Sequence, residues 1–293
     1  MFDALVIGGS YAGLSAALQL ARARRRVAVV DAGQRRNRFA ATSHGFLGQD
    51  GRAPGDIVRE ARAQLLAYPN VLWHEGTAAT AQRQGEGFEV GLDGGAPLRA
   101  RRLVLATGVI DELPPVEGLA ERWGRSVFHC PYCHGHELNG GAIGVLASSP
   151  LALHHALLLP DWGPTTLFLN GAFTPDAEQA RTLAARGVVV EATPVARLAD
   201  VATVELRDGR RLPLAGLFTA TRTRMASPLA EELGCEFEPG PAGLYLRRTM
   251  TATTVPGVFA CGDAAMPFGS VALAVGDGAM TGSATHRSLI PGL

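Results

Sequence analysis

Residues Ala4-Leu5-Val6-Ile7-Gly8-Gly9-Ser10-Tyr11-Ala12-Gly13 decide the fold. Ala4 to Ile7 is an unbroken apolar run, the pattern of a parallel strand covered on both faces. Gly8 to Gly13 is a turn. Leu14 to Arg25 is rich in Ala and Leu and reads as a helix, and Val27-Ala28-Val29-Val30-Asp31 reads as a second strand. The turn fits G-x-G-x-x-G at Gly8 and Gly13, with Ser10 in the place of the middle glycine. A small residue there still lets a pyrophosphate approach the backbone at the helix N-terminus. Asp31 follows Gly13 by 18 residues, near where an acid accepts from a ribose hydroxyl. An α/β turn without a ligand would share parts of this pattern. The full order of turn, helix, strand and acid favours a dinucleotide site.

Working outward, Val71 to Leu92 reads as short strands with Gly turns, and Leu103 to Gly108 as another buried strand ending in small residues. Pro114-Pro115 marks a linker. A fresh α/β pattern follows: strand Ala142 to Leu146, helix Leu151 to Leu158, strand Thr166 to Leu169, helix Ala177 to Arg186, strand Val188 to Val190, and a hairpin around Asp208-Gly209. Pro239-Gly240-Pro241 marks a second linker. Val258 to Asp263 is a strand ending in a Gly-Asp turn, and a helix from about Ser270 to Arg287 follows. The predicted organisation is one domain, residues 1–112 and 242–293, interrupted by another, residues 113–241.

Length and composition narrow the function. The 293 residues include 36 Gly and 47% hydrophobic side chains, enough for a real core. The 27 basic and 27 acidic residues balance to a net charge of +0, unlike a general nucleic-acid binder. All the basic residues are Arg, so neither a Walker A site nor a lysine Schiff base is available. No basic leader and no 18-residue apolar run stands in the sequence, so a cytoplasmic protein without membrane attachment is expected. Four cysteines, at 130, 133, 235 and 261, are too few for a secreted disulfide scaffold.

Cys130-Pro131-Tyr132-Cys133 is a C-x-x-C, a motif whose thiols shift toward neutral pKa values. Three of the eight histidines, His129, His134 and His136, surround it. An imidazolium beside a thiol favours the thiolate, and an imidazole can carry a proton during exchange. Cys130-x-x-Cys133-His134 also fits the c-type haem pattern, but haem attachment expects an exported chain. A zinc site would have to close on compressed ligands with no second C-x-x-C. A buried structural pair is poorly served by flanking histidines. The redox dithiol is the better reading, and no metal is expected. Cys261 lies in an apolar strand and reads as a small core residue; nothing beside Cys235 would activate it.

Taken together, Gly8-Gly9-Ser10-Tyr11-Ala12-Gly13, Asp31, Ala106-Thr107-Gly108, Cys130-Pro131-Tyr132-Cys133 and Val255 to Asp263 make the chain resemble the low-molecular-weight thioredoxin reductase flavoproteins over nearly its whole length. The resemblance implies an α/β fold of two Rossmann-like, three-layer ββα nucleotide-binding domains, the second inserted into the first. It implies FAD along the first Gly turn, with Gly8, Ser10, Ala12, Gly13, Asp31, Gly45, Ala78, Ala106, Thr107, Gly108, Gly262, Asp263, Ser270 and Val271 at the cofactor. Asp263 would meet its ribityl or pyrophosphate region. It implies Cys130 as the exchanging thiol, Cys133 as the flavin-proximal one, and a homodimer. His134 is the candidate acid/base, with His136 and His129 as weaker candidates. The loop His44-Gly45-Phe46-Leu47-Gly48 would pass near the flavin ring or the substrate.

Departures from the family point to a branch of it. The inserted domain's NADPH turn is replaced by Ala147-Ser148-Ser149-Pro150-Leu151-Ala152, without a glycine, and the basic cluster for the 2′-phosphate by Asn170-Gly171-Ala172. Arg222 or Arg224 could substitute for the lost charge. His134-Gly135 stands where the family has Asp-Gly, and Gly269-Ser270 where it has Arg-Gln near the flavin. These changes are similar to the gliotoxin- and holomycin-type dithiol oxidases. The expected activity is FAD-dependent oxidation of a small-molecule dithiol, or of a thioredoxin-like protein, with O2 as acceptor and no NADPH. The alternatives are an NADPH-dependent thioredoxin reductase with an atypical cofactor site, a reductase fed by ferredoxin or reduced flavin, and a flavin-binding sensor without turnover.

Overall fold

A computed structural model describes residues 1–293. The chain folds into two compact units: residues 1–38, 46–110 and 223–293 form one, and residues 39–45 and 111–222 the other. No helix is long and apolar enough to cross a membrane.

The first unit opens with β1 (Phe2–Ile7), α1 (Tyr11–Arg22), β2 (Val27–Asp31), α2 (Pro54–Leu66) and β3 (Val71–Glu75). An antiparallel meander follows: β4 (Ala78–Gln84), β5 (Gly87–Leu92) and β6 (Gly95–Leu105). The predicted first helix begins three residues earlier than its Leu-rich stretch, because Ser10 is extended and releases the chain into the helix at Tyr11. It stops at Arg22, where Arg24 takes a left-handed φ of 60°. Helix α2 has no counterpart in the sequence reading; Pro54 starts it, where a missing N–H costs nothing.

β7 (Val109–Glu112) leads out of the first unit. The second unit contains β8 (Val127–Phe128), α3 (Pro131–His134), β9 (Ile143–Leu146), α4 (Ala152–Leu158), β10 (Thr165–Phe168), α5 (Ala177–Ala185) and β11 (Val189–Glu191). β12 (Val195–Ala199), β13 (Thr203–Leu206) and β14 (Arg211–Leu212) form a small antiparallel sheet, and β15 (Gly216–Thr219) returns to the main one. The main sheet is parallel throughout, in the order β11-β10-β9-β15-β8.

β16 (Arg222–Met225) brings the chain back to the first unit, followed by α6 (Leu229–Glu232), the β17 (Phe237–Pro239) and β18 (Leu244–Leu246) hairpin, β19 (Arg248–Thr249), β20 (Ala252–Thr253), β21 (Val258–Ala260) and α7 (Val271–Arg287). Pro239-Gly240-Pro241 lies at the turn of the β17–β18 hairpin, inside the first unit. The large sheet runs β19-β20-β21-β6-β1-β2-β3, with β21, β6, β1, β2 and β3 parallel. β1 is buried along its last four residues, Ala4 to Ile7, as its apolar run requires. Chain order reverses on either side of β1, and the crevice at the carboxyl ends of such strands is where α/β sheets bind ligands.

Candidate active site

The turn after β1 is shaped for close backbone approach. Gly8 has φ +104°, and a Cβ on it would collide with the carbonyl of Ala106. A Cβ on Gly13 would collide with the Gly8 carbonyl, and one on Gly9 would stand 2.7 Å from the Asp31 side chain. Side chains are excluded from this loop on three sides. The Gly9 N–H donates to Asp31 Oδ1 at 3.1 Å, so the acid holds the turn as well as the end of β2. The spacing rule points to Gly8, Ser10 and Gly13 and leaves out Gly9, whose part in the turn comes from its bond to Asp31.

The Gly262-Asp263 turn closes the same crevice. A Cβ on Gly262 would lie 2.9 Å from the Ala12 side chain, so this turn rests on the first turn of α1. Gly262 N–H donates to Asp277 Oδ2 at 2.8 Å. Asp277, on α7, is 3% exposed and also accepts from Arg248 Nη1 at 2.8 Å. Asp263 pairs with Arg36 at 3.0 Å. No spacing rule connects Asp277 to Arg248 or Arg36 to Asp263, so neither pair was legible in the sequence. Ser270 caps α7 by accepting from the Leu273 N–H, and Val271 starts that helix and packs against the core. Thr107 and Gly108, with φ +69° at Gly108, follow β6 beside Ala106. Ala78 is buried at the start of β4. Of the predicted cofactor residues, Gly45 alone clusters with the second unit.

A cradle that any side chain would fill, at a helix N-terminus with an acid at the end of β2, fits the adenosine and pyrophosphate half of FAD. Gly8, Gly9, Ser10, Ala12 and Gly13 would hold it, with Asp31 toward the ribose and Asp263 toward the ribityl side.

In the second unit Cys130 and Cys133 form a disulfide. Cys130 takes the N-cap position of α3 and Pro131 its first turn, a local arrangement that brings the two sulfurs to one side. His134 ends α3 and stacks on Phe128, ring centroids 4.2 Å apart. Phe128 packs on Phe218, which meets His155 edge-on at 6.5 Å. Burial, reinforced by the neighbouring charge of His129, pushes His134 from 6.5 down to about 4; His44 adds to the shift and Glu137 opposes it. Of the two roles expected of a flanking imidazole, this shift favours the neutral proton carrier over the cation. At neutral pH His134 is a neutral imidazole, able to take a proton but not to favour a thiolate by positive charge. The Phe128 ring stacked on one face of the imidazole is part of that burial.

His129 stands 6.1 Å from Trp123, while His136 is exposed on the 3-10 turn after α3. His44 Nδ1 pairs with Glu137 at 3.6 Å, and Phe39 packs over Gly124, so the segment 39–45 is fastened to the cysteine-bearing unit. Tyr132, between the cysteines, is 72% exposed and meets Trp162 edge-on at 5.4 Å. Burial also pushes His155 down to about 4, with His154 and His129 contributing. Neither Trp162 nor His155 was singled out in the sequence. Cys235 and Cys261 are buried and free, and burial pushes the Cys261 thiol up to about 12, as expected of an inert core cysteine. No group of three His, Cys, Asp or Glu side chains could hold a metal ion.

The turn after β9 is occupied by its own side chains. Ser148 Oγ donates to the Ala220 carbonyl at 2.6 Å, and Ser149 Oγ accepts from the Leu151 N–H at 3.3 Å. After β10, Asn170 takes φ 47° and its Oδ1 accepts from the Val195 N–H at 3.0 Å. Arg222 and Arg224 are exposed on β16.

A Rossmann-type cradle for FAD and a disulfide in a second parallel α/β unit define a flavin-dependent disulfide oxidoreductase. The chain belongs to the pyridine nucleotide-disulphide oxidoreductase family, whose pattern it matches over residues 2–278. It is 33% identical to the thioredoxin reductase sirT of Leptosphaeria maculans over 98% of this chain and 94% of that one. Among solved structures, an oxidoreductase from Agrobacterium tumefaciens is 59% identical with a TM-score of 0.95, covering 98% of both chains. The structure of HlmI is 39% identical with a TM-score of 0.92, covering 98% of this chain and 92% of that one. The protein is thus a thioredoxin reductase-like, FAD-dependent enzyme acting on disulfides.

Proposed function

We propose that this enzyme is a dithiol oxidase: it oxidises a small dithiol to a disulfide at Cys130 and Cys133, delivers the electrons through FAD to O2, and does not use NADPH. One observation carries the reading. Both places where the second unit would grip NADPH are given to other work. Ser148, Ser149 and Pro150 fill the β9–α4 turn, where Pro150 also removes an N–H donor. Asn170-Gly171-Ala172 follows β10 with no basic side chain, and the Asn170 amide is bonded within the unit.

A substrate thiolate attacks Cys130 Sγ, forming a mixed disulfide and releasing Cys133 as the thiolate. The second substrate thiol then attacks the substrate sulfur of that mixed disulfide, leaving the product disulfide and two reduced cysteines. The substrate loses two electrons and two protons, and neutral His134 is the base placed to take one of the protons. Bound FAD would supply the two-electron acceptor that reoxidises the pair and reduces O2 to hydrogen peroxide. FAD is assigned to the first unit, residues 1–38, 46–110 and 223–293, and the dithiol chemistry to the second, residues 39–45 and 111–222, in place of the expected boundaries at 112/113 and 241/242, in a cytoplasmic homodimer.

The relatives named thioredoxin reductases favour a second reading, reduction of a thioredoxin-like protein by NADPH bound atypically through Arg222 or Arg224. Anaerobic mixing with excess NADPH, and separately with dithiothreitol, followed at the flavin absorbance, separates the two. Bleaching by the dithiol within a turnover time, with little by NADPH, is expected. Fast, complete bleaching by NADPH would promote the reductase.

A further inference from the structure

α3 is a single turn, so its residues sort onto three faces at the spacing i, i+3. Cys130 and Cys133 share one face and are joined there, their Cα atoms 5.3 Å apart. Pro131 and His134 share the second, which turns inward: Pro131 is buried and His134 lies on Phe128. Tyr132 and Gly135 share the third. That face is the neighbour of the disulfide, roughly 100° round the helix from Cys133, and thiol exchange gives it no task.

Trp162 is built against this third face. It follows the 3-10 turn Leu159–Asp161, its N–H donates to the Leu159 carbonyl at 2.9 Å, and its side chain packs on the core of the second unit. A Cβ on Gly135 would stand 2.9 Å from the indole, so a glycine is what lets the ring lie this close to α3. The indole meets the Tyr132 ring edge-on, with centroids 5.4 Å apart and planes at 87°. Asp161, the residue before Trp162, is paired with Arg186 at 2.8 Å. The result is an apolar corner of two perpendicular rings at the rim of the disulfide, with Tyr132 72% exposed.

Such a corner suits a third ring. A flat ring laid on one wall meets the other at its edge, and these are the two arrangements in which aromatic groups attract beyond their burial. The apolar target is one ring wide, since Phe128 and Pro131 beside it are buried. A protein partner needs about 800 Å² of matching surface on each side, far more than one exposed ring supplies. We propose that Tyr132 and Trp162 are specificity-determining residues of the dithiol site, and that the substrate is a small dithiol carrying an aromatic or heteroaromatic ring. The ring sits in the corner while the thiolate reaches Cys130 Sγ. This rests on the reading of the site as one for a small dithiol, and names the class of that dithiol.

The test compares dithiols that close to cyclic disulfides of the same ring size: 1,2-bis(mercaptomethyl)benzene, which carries an aromatic ring, and butane-1,4-dithiol, which is apolar without one. Each is mixed anaerobically with the oxidised holoenzyme, and the second-order rate of flavin bleaching is read. The parent should favour the ring-bearing dithiol about 10-fold, from one aromatic contact with each wall. Tyr132→Ser and Trp162→Leu should each lower that ratio about 3- to 10-fold, and Tyr132→Phe should keep it. A parent ratio within about twofold of unity overturns the proposal. So does a Tyr132→Ser enzyme that keeps the parent's ratio; if it is instead slowed toward reduced thioredoxin, the corner belongs to a protein partner. Should Trp162→Leu fail to fold, the exposed Tyr132 decides alone. Binding is read separately, by calorimetry of the oxidised holoenzyme with the two cyclic disulfides, where no electrons move. Tighter binding of the ring-bearing disulfide, lost in Tyr132→Ser, with no bleaching by either dithiol would sink the oxidase reading and leave the corner standing. Equal affinities for the two disulfides overturn the corner whatever the electron partner.

Discussion

Replacing Asp277 by Ala should destabilise the FAD-binding unit more than any other single change at its cofactor end. The carboxylate is 3% exposed and does two jobs: Oδ1 accepts from Arg248 at 2.8 Å, and Oδ2 accepts from the Gly262 N–H at 2.8 Å. The Arg248 side chain is itself only 13% exposed, and its other bond is to the Ala260 carbonyl at 2.9 Å. Alanine leaves a buried guanidinium without its counter-charge and a buried N–H without an acceptor. Breaking one side of a buried pair costs about 3–5 kcal/mol, and the orphaned N–H is part of that loss. At ~2–4 °C per kcal/mol, the apoprotein midpoint should fall by roughly 6–20 °C. The assay is urea and thermal unfolding of the apoprotein, with FAD retention measured beside it. Asp277→Asn keeps an acceptor for Gly262 and should lie between. Asp277→Leu combined with Arg248→Met removes both charges and should recover part of the loss, because paired apolar replacement spares the desolvation of each ion. The reasoning is refuted if Asp277→Ala costs less than about 1 kcal/mol, or if the double variant is no more stable than Asp277→Ala.

Two further outcomes follow from the second unit. Cys133→Ser should block flavin reduction by a dithiol, whereas Cys130→Ser should leave a thiolate beside the flavin, seen as a long-wavelength absorbance band; the band in Cys133→Ser instead would reverse the two roles. His134 and His155, both held down to about 4 by burial, are neutral in the fold but take protons in the unfolded chain below about pH 6.5. Their contribution to stability is therefore present above pH 6.5 and lost as pH falls toward 4. Replacing both with Gln should flatten the urea midpoint between pH 6.5 and 4, and an unchanged pH profile would contradict the burial argument.

Much of the active site was legible because its pieces are local. The Gly8–Gly13 turn, the Cys130–Cys133 spacing and the Gly262-Asp263 turn each lie within a few residues, and each forces a backbone shape that composition alone betrays. The pairs that hold those pieces are not local. Arg36 reaches Asp263 across 227 residues, and Arg248 reaches Asp277 across 29, through contacts that only the meeting of α1, α7 and the β2 loop creates. Helix α2 was missed because its apolar positions are sparse: only Pro54, Ile57, Val58 and Leu65 are buried along it, too few for a clear stripe.

The sequence by itself determined the class of fold, the glycine turn after β1 and the pairing of two cysteines, since strand periodicity, glycine and cysteine spacing are properties of the chain before it folds. Only the tertiary structure decided the protonation of His134. Three flanking histidines leave open a positive charge near the dithiol, yet burial, with Phe128 stacked on the ring, pushes His134 down to about 4. The same chain neighbours can favour either form; which one prevails depends on how much solvent the fold removes, and that quantity is set by residues distant in sequence.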